Sequence, residues 1–507
     1  MDTDARPDTP SSVEPGGTRP ATGDLTIPNI GRRTRNSHRS RSHARLSLIR
    51  KIRVRLSSGK AVGPLLIHQG KERISEMARV VIAASPWHGH VPTLLAVAAD
   101  LVQRGNQVTF LSGTLFQQRI EATGATFAPL TGEADQDGDA LLATPERLAL
   151  RDLSRFAWDM SNIFIAPIRA QHEDLQRLLA QAGDEPVIVV SEPTFMGVTP
   201  LQLGAPGLRP KAFVGIGVVS YSLSSVDTAP FGMGLPPDSS AEGRARNREA
   251  YAFFQDQALG EPQKMFNAVL EEMGATEPAP FFLDSTLLCP DRFLQLSLAE
   301  LSYHRTDTPG HVSFVGSVPP IPPAGVGLPD WWPELDQAEK VILVTQGTVA
   351  NLDFGELIEP TLAGLADFPG LVVAATGRAG AVRNAPANAR ITEFVPFADM
   401  LPRTDLLITN GGYGGIQQAL RHGVPLIVAG RSEDRLENSA RVAATGAGIG
   451  LATDSPAPAD VRAAVEQIFS TPSYVENANR LAAEYAKHDA LAAIADTINH
   501  LATTPAP

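Results

Sequence analysis

RVVIAASPWHGHVPTLLAVAADLVQRGNQVTFL, residues 79–111, decides the fold class. It opens with the apolar run RVVIAA (79–84), passes through a helical pattern over residues 92–104, and closes on a second apolar run, QVTFL (107–111). Short runs that are apolar on both faces belong to strands covered on both sides, and a helix between two of them is the crossover of a parallel sheet. The alternation continues through PVIVVS (186–191) and KAFVGIGVV (211–219), so residues 77–320 read as one Rossmann-like α/β domain. Five prolines in PPIPPAGVGLP (319–329) can sustain neither helix nor central strand and mark a linker at 321–330. Beyond it VILVT (341–345), LVVAAT (371–376), RITEFV (390–395), DLLIT (405–409) and PLIVAG (425–430) repeat the pattern. Residues 331–502 therefore read as a second Rossmann-like domain, with a last helix able to pack back on the first. Two such domains face each other across a cleft.

Composition narrows the class further. The 507 residues are 43% hydrophobic, enough for a sizeable core in each domain, and carry a net charge of −12 with a single cysteine, Cys289. One thiol excludes an intramolecular disulfide and a cysteine zinc cluster, and favours a reducing, cytoplasmic setting. No apolar stretch has the roughly 18 residues of a membrane span. The charge is uneven: residues 1–76 hold 15 Lys+Arg against 7 Asp+Glu, the rest 28 against 48. Eleven basic residues and no acid lie between Arg32 and Lys60, interleaved with Ser and His, so residues 1–76 read as a disordered basic tail. Within it LSLIRKIRVRL (46–56) has the pattern of a short basic amphipathic helix, suited to weak association with an anionic membrane surface, although a solvated charge run is the default. The acidic body disfavours polyanions, and no nucleic-acid partner is expected.

Ligands of open α/β sheets bind beyond the carboxyl ends of the strands. Three segments there could carry chemistry. After DLLIT stand Asn410, Gly411, Gly412, Tyr413, Gly414 and Gly415, then a helix expected to begin near Ile416. Glycines at a helix mouth let backbone N–H groups approach a ligand, and the helix dipole favours a phosphate; a tight turn without ligand is the competing reading. After VILVT, Gln346-Gly347-Thr348 could reach the same phosphate from the facing loop, and it also reads as an ordinary turn. After the first strand comes Trp87-His88-Gly89-His90-Val91-Pro92. A histidine at that edge is a candidate general base, best supported by a carboxylate on its far nitrogen, and Glu192, directly after PVIVVS, lies at the same sheet edge; a loop histidine satisfied by backbone is the alternative for His88 and His90. HExxH, CxxC, GxSxG and DxDxDG motifs are absent, so metal hydrolysis, thiol redox, serine-hydrolase chemistry and a calcium loop have no support, and no metal ligands are assigned.

PWHGHVP followed by LVQRGNQVTFL, together with FVPFADMLPRTDLLITNGGYGGIQQALRHGVPLIVAGRSEDRLENSARVAATGAGIGL (394–451), resembles the family 1 glycosyltransferases. These are nucleotide-sugar-dependent enzymes of GT-B fold that include bacterial macrolide and plant small-molecule glycosyltransferases. The similarity spans about residues 78–500. It implies that His90 deprotonates the acceptor hydroxyl and that Glu192 stands where the family usually has aspartate. Asn410 replaces a signature histidine at the diphosphate, Gly411, Gly412, Gly414 and Gly415 form the phosphate cradle, and Thr348 lies opposite. Gln418 takes the place of the ribose-binding glutamate. Phe394 is the aromatic that stacks on the base, and Val395 supplies backbone contacts. Asp434-Arg435 stands for the Asp-Gln pair that binds sugar hydroxyls. DTAPFGMGLPP (227–237) resembles a loop of a bacterial and fungal subgroup and places Phe231 and Met233, with His88, beside the acceptor, unless it is only a structural Pro/Gly turn.

The expected activity is therefore inverting O-glycosyl transfer from a UDP- or dTDP-sugar to a small, mostly apolar acceptor such as a secondary metabolite. The nucleotide sugar is a co-substrate, and no cofactor is expected. Two rivals share the architecture: a nucleotide-sugar epimerase, and a catalytically silent nucleotide-sugar binder suggested by the departures at Asn410, Gln418 and Arg435.

Overall fold

The computed structural model describes residues 78–319, 321, 327–347, 351, 353–431 and 434–504. The tail 1–76, linker residues 322–326 and Thr348 lie outside the described residues. Two parallel sheets organise the rest. The first contains β1 (Arg79–Ala83), β2 (Gln107–Ser112), β3 (Thr126–Pro129), β4 (Val187–Ser191), β5 (Ala212–Gly217), β6 (Arg292–Gln295) and β7 (Val312–Phe314), in the order β3-β2-β1-β4-β5-β6-β7. The second contains β8 (Val341–Thr345), β9 (Leu371–Ala375), β10 (Ala389–Thr392), β11 (Leu406–Thr409), β12 (Leu426–Ala429) and β13 (Gly448–Leu451), in the order β10-β9-β8-β11-β12-β13.

Strand alternation explains the double-sided burial. Val80 and Ile82 enter the apolar cluster on one face of the first sheet, Val81 and Ala83 the cluster on the other. In β8, Val341 and Leu343 divide from Ile342 and Val344 in the same way. The second face of each strand must be covered because successive side chains point to opposite sides. Helix Val91–Gln103 follows β1 and buries Leu94, Leu95, Ala98 and Leu101, an i, i+1, i+4, i+7 stripe, against the sheet. The C-terminal helix Ala490–Thr503 buries Ala490, Ile494, Ala495 and Ile498 in that same first-sheet cluster. Among the described residues no helix is long and apolar enough to cross a membrane.

Each sheet reverses direction of strand order once, and those two points position the site. In the first sheet β1 pairs with β2 on one side and β4 on the other, with Ala83 opposite both Leu111 and Ser191. In the second β8 pairs with β9 and β11, with Thr345 opposite both Ala375 and Thr409. The loops diverging from such a switch point leave a crevice for ligand.

Two expectations are corrected. The helix after the glycine turn spans Tyr413–Arg421, beginning at Tyr413 rather than near Ile416, so Gly414 and Gly415 belong to its first turn. The strand expected over 390–395 stops at Thr392, where the Thr392 hydroxyl donates to Phe394 O at 3.1 Å and the chain bends towards Pro396. The short strands β3, β6, β7 and β13 carried no clean apolar run, and β13, GIGL, is half glycine.

Candidate functional site

His90 sits immediately before the Val91–Gln103 helix, its N–H held by Trp87 O at 3.0 Å, with Pro92 in the first turn. Pro92 suits that place because its fixed φ and missing N–H cost nothing there. Glu192 follows β4, and Phe195 N–H closes a turn onto its carbonyl at 3.0 Å. Adjacency of β1 and β4 brings the two side chains together: Nδ1 of His90 lies 2.8 Å from Oε2 of Glu192. The carboxylate is fully buried and accepts three further hydrogen bonds, from Ser85 N–H at 3.1 Å, Thr194 N–H at 2.9 Å and the Thr194 hydroxyl at 2.6 Å. Burial pushes its pKa up, but the His90 charge and the hydrogen bonds from His90 and Thr194 outweigh it and hold the carboxyl below its ordinary value. An ionised Glu192 accepts the Nδ1 proton and leaves the Nε2 lone pair available. Nε2 has no hydrogen-bond partner among the described residues, and the His90 side chain retains 14% exposure. This is the arrangement of a base oriented by a carboxylate.

In the second domain, Gln346 and Gly347 follow β8 and Asn410 follows β11, again at the switch point. Asn410 is buried and its Nδ2 donates to Gln346 O at 2.5 Å. Gly411 adopts φ +99°, and a Cβ there would lie 3.0 Å from Val428 Cγ1 and 3.3 Å from Arg435 Cβ, so both conformation and space call for glycine. A Cβ on Gly412 or Gly414 would meet nothing within 4 Å, which leaves open space above the start of the Tyr413–Arg421 helix. The first amides of that helix lack intrahelical acceptors and border this space, a geometry that suits an anion. Val395 is buried, and Phe394 is half-buried. Asp434 caps the Arg435–Thr445 helix and takes a hydrogen bond from Asn438 at 3.0 Å; Arg435 is buried, 3.9 Å from Asp454.

The other candidates have these neighbours. The amide of Gln418 donates to Val318 O at 3.0 Å, across to the segment that follows β7. His88 is exposed and packs against the Phe116 ring at 5.1 Å. Phe231 lies under the guanidinium of Arg441 at 5.7 Å, while Met233 is exposed. Their loop is anchored by Asp227, which accepts from Thr306 N–H and hydroxyl at 2.7 Å each and from Arg244 at 2.8 Å. Those bonds pull the Asp227 pKa down to about 2.

Residues that the motifs did not point to complete the site. Thr194 and Ser85 hold Glu192, and the Ser85 hydroxyl donates to Thr194 O at 3.0 Å while receiving Gln171 Nε2 at 3.3 Å. The Glu-Pro-Thr turn was the one local signal for Thr194. The two domains meet through other segments: Gln295 donates to the Tyr413 hydroxyl at 3.3 Å, Arg421 to Ser317 O at 2.9 Å, and Arg441 to Tyr221 O at 2.7 Å. The carboxyl ends of β5, β6 and β7 thus abut the helices that frame the glycine turn.

The chain is similar to known proteins over most of its length. The family described as "Erythromycin biosynthesis protein CIII-like, C-terminal domain" matches residues 359–501. UDP-glycosyltransferase 2 of Phaeomoniella chlamydospora is 38% identical over 437 residues, covering 83% of this chain and 95% of that protein. The 4'-demethylrebeccamycin synthase of Lentzea aerocolonigenes is 36% identical over 429 residues, covering 84% of this chain and 99% of its own. Among solved structures, the glycotransferase of kitacinnamycin superposes with a TM-score of 0.63 over 84% of this chain and 99% of its own, at 23% identity, a likeness of fold.

Proposed function

Since this chain belongs to the family 1 glycosyltransferases, the nucleotide-sugar-dependent enzymes of GT-B fold, we propose that it transfers a sugar from a UDP-sugar to a hydroxyl of a small, mostly apolar acceptor with inversion at the anomeric carbon. Membership sets aside the epimerase and the silent binder. The observation that carries the mechanism is the buried Glu192 carboxylate 2.8 Å from Nδ1 of His90. It fixes the tautomer with a lone pair on Nε2, which takes the proton of the acceptor hydroxyl. The acceptor oxygen attacks the anomeric carbon from the face opposite the diphosphate, the bond to the diphosphate oxygen breaks, and the imidazolium later yields its proton to solvent. The amides at the start of the Tyr413–Arg421 helix receive the charge of the leaving diphosphate. On this reading the nucleotide sugar is a co-substrate, no resident cofactor takes part, Phe394 and Val395 hold the base, and Asp434 with Arg435 meets the sugar hydroxyls. The UDP preference follows the relatives named for it, with dTDP the second choice.

Thermal unfolding against UDP, dTDP, GDP and NAD tests donor binding without an acceptor. At 100 times Kd a ligand adds about 2.7 kcal/mol, so UDP should raise Tm by several degrees while NAD leaves it in place. No shift with UDP or dTDP would overturn the donor assignment. His90→Ala should lower kcat by about 10²–10⁴-fold with UDP affinity unchanged; loss of UDP binding in that variant would remove His90 from the base role.

A further inference from the structure

The Arg435–Thr445 helix carries a buried amide that joins the two domains at the donor site. Asn438 is 2% exposed and Ser220, in the segment after β5, is 1% exposed. The Ser220 hydroxyl donates to Asn438 Oδ1. Asn438 Nδ2 donates in turn to Gly411 O at 2.9 Å and to Asp434 Oδ2 at 3.0 Å. A primary amide has two N–H donors, and here one reaches the backbone of the glycine turn and the other the Asp434 carboxylate. Its orientation is determined by its surroundings: a flipped amide would set Oδ1 against a carbonyl and a carboxylate.

We propose that Asn438 is a positioning residue that aims the Asp434 carboxylate at the transferred sugar, and that Ser220 of the acceptor-side domain locks it in that orientation. The inference rests on the donor reading above and extends it, because it makes sugar recognition in the second domain depend on a side chain of the first. Gly411, held at φ +99° between Val428 and Arg435, gives the amide a rigid reference point. Asp434 stands at the start of the helix beside the glycine turn, and the bond from Asn438 Nδ2 fixes the direction of its Oδ2. Ser220 and Asn438 are 218 residues apart in sequence, so the contact exists only when the domains are docked.

The test needs no acceptor. Full-length wild type, Asn438→Asp, Ser220→Ala and Ser220→Thr are titrated calorimetrically with UDP and with UDP-glucose, and in parallel with dTDP and dTDP-glucose. Asn438→Asp keeps the side-chain shape but turns a donor into a second carboxylate facing Asp434. UDP-glucose affinity should fall about tenfold or more beyond whatever UDP affinity loses, since the lost bond to Gly411 O bears on the diphosphate of both ligands while the lost bond to Asp434 bears on the sugar alone. Ser220→Ala should show the same selectivity with a smaller loss, and Ser220→Thr, which keeps the hydroxyl, should restore wild-type affinity. Equal weakening of UDP and UDP-glucose would reduce Asn438 to a structural role and overturn the proposal, as would wild-type affinities in Ser220→Ala. Should Asn438→Asp fail to fold, the two Ser220 variants still decide. Wild type that binds none of the four nucleotides overturns the donor reading itself, before any variant is compared.

Discussion

Under the proposed mechanism Glu192 takes a role that the family assigns to a shorter side chain. Its carboxylate meets Nδ1 at 2.8 Å while Ser85 and Thr194 bond both of its oxygens. Glu192→Gln preserves volume but presents an amide that can donate to Nδ1 and so favour the wrong tautomer. Its kcat should fall on the order of 10²-fold or more, with UDP affinity retained, as measured by steady-state kinetics beside UDP titration. The carboxyl also links stability to pH. Its folded pKa lies below the ordinary value, so its contribution is present above the ordinary carboxylate range and is lost as pH falls through the folded value. The gap in Tm between wild type and Glu192→Gln should therefore narrow on acidification below the ordinary Glu range; a constant gap from pH 7 to pH 3 would contradict that linkage. His90 and Glu192 were legible because each lies in the turn that follows an apolar run. Thr194 and Ser85 were not, since Ser85 joins Thr194 over 109 residues and no local pattern records such a bond.

At the scale of elements, the glycine turn and the Tyr413–Arg421 helix form one unit. The helix begins three residues before its apolar pattern because Gly412 caps it and Gly414 and Gly415 accept helical geometry. Sequence periodicity locates the apolar face of a helix, not the polar first turn that a ligand uses. Gly412→Asp places a carboxylate in the open space over the helix start and should weaken UDP binding by about tenfold or more through charge conflict, read by calorimetry. Gly411→Ala acts differently. It forces a Cβ against Val428 and Arg435 at φ +99° and should lower stability by about 1–3 kcal/mol before any ligand is added, measured by denaturant unfolding. A silent Gly411→Ala would mean that the turn relaxes freely. The 227–237 loop is fixed from both sides: Asp227 anchors its start, Gly234 N–H bonds Glu437 at 3.1 Å near its end, and the Phe231 ring lies under Arg441 of the second domain.

For the whole molecule, the C-terminal helix is the return path that ties the chain together. Ala490–Thr503 follows the second domain in sequence and is packed into the first-sheet core through Ile494 and Ile498, both fully buried. Ile498→Ala should cost about 2–5 kcal/mol and lower the Tm of the first domain, where truncating an exposed residue of the same helix would not. An unchanged Tm would show that this helix is not needed to close the core. The fold class, the two repeats of the strand pattern and the order of the chemistry-bearing loops were all determined by the sequence, because double-sided apolar runs and glycine turns are local signals that need no knowledge of distant residues. Tertiary structure alone decided which loops share a crevice: the pairing of β1 with β4 and of β8 with β11, the hydrogen bonds around Glu192, the turning of Gln418 towards Val318, and the Ser220–Asn438 link. Each of these depends on strand order or domain docking, and both are settled by burial summed over the whole chain rather than by the residues that come to touch.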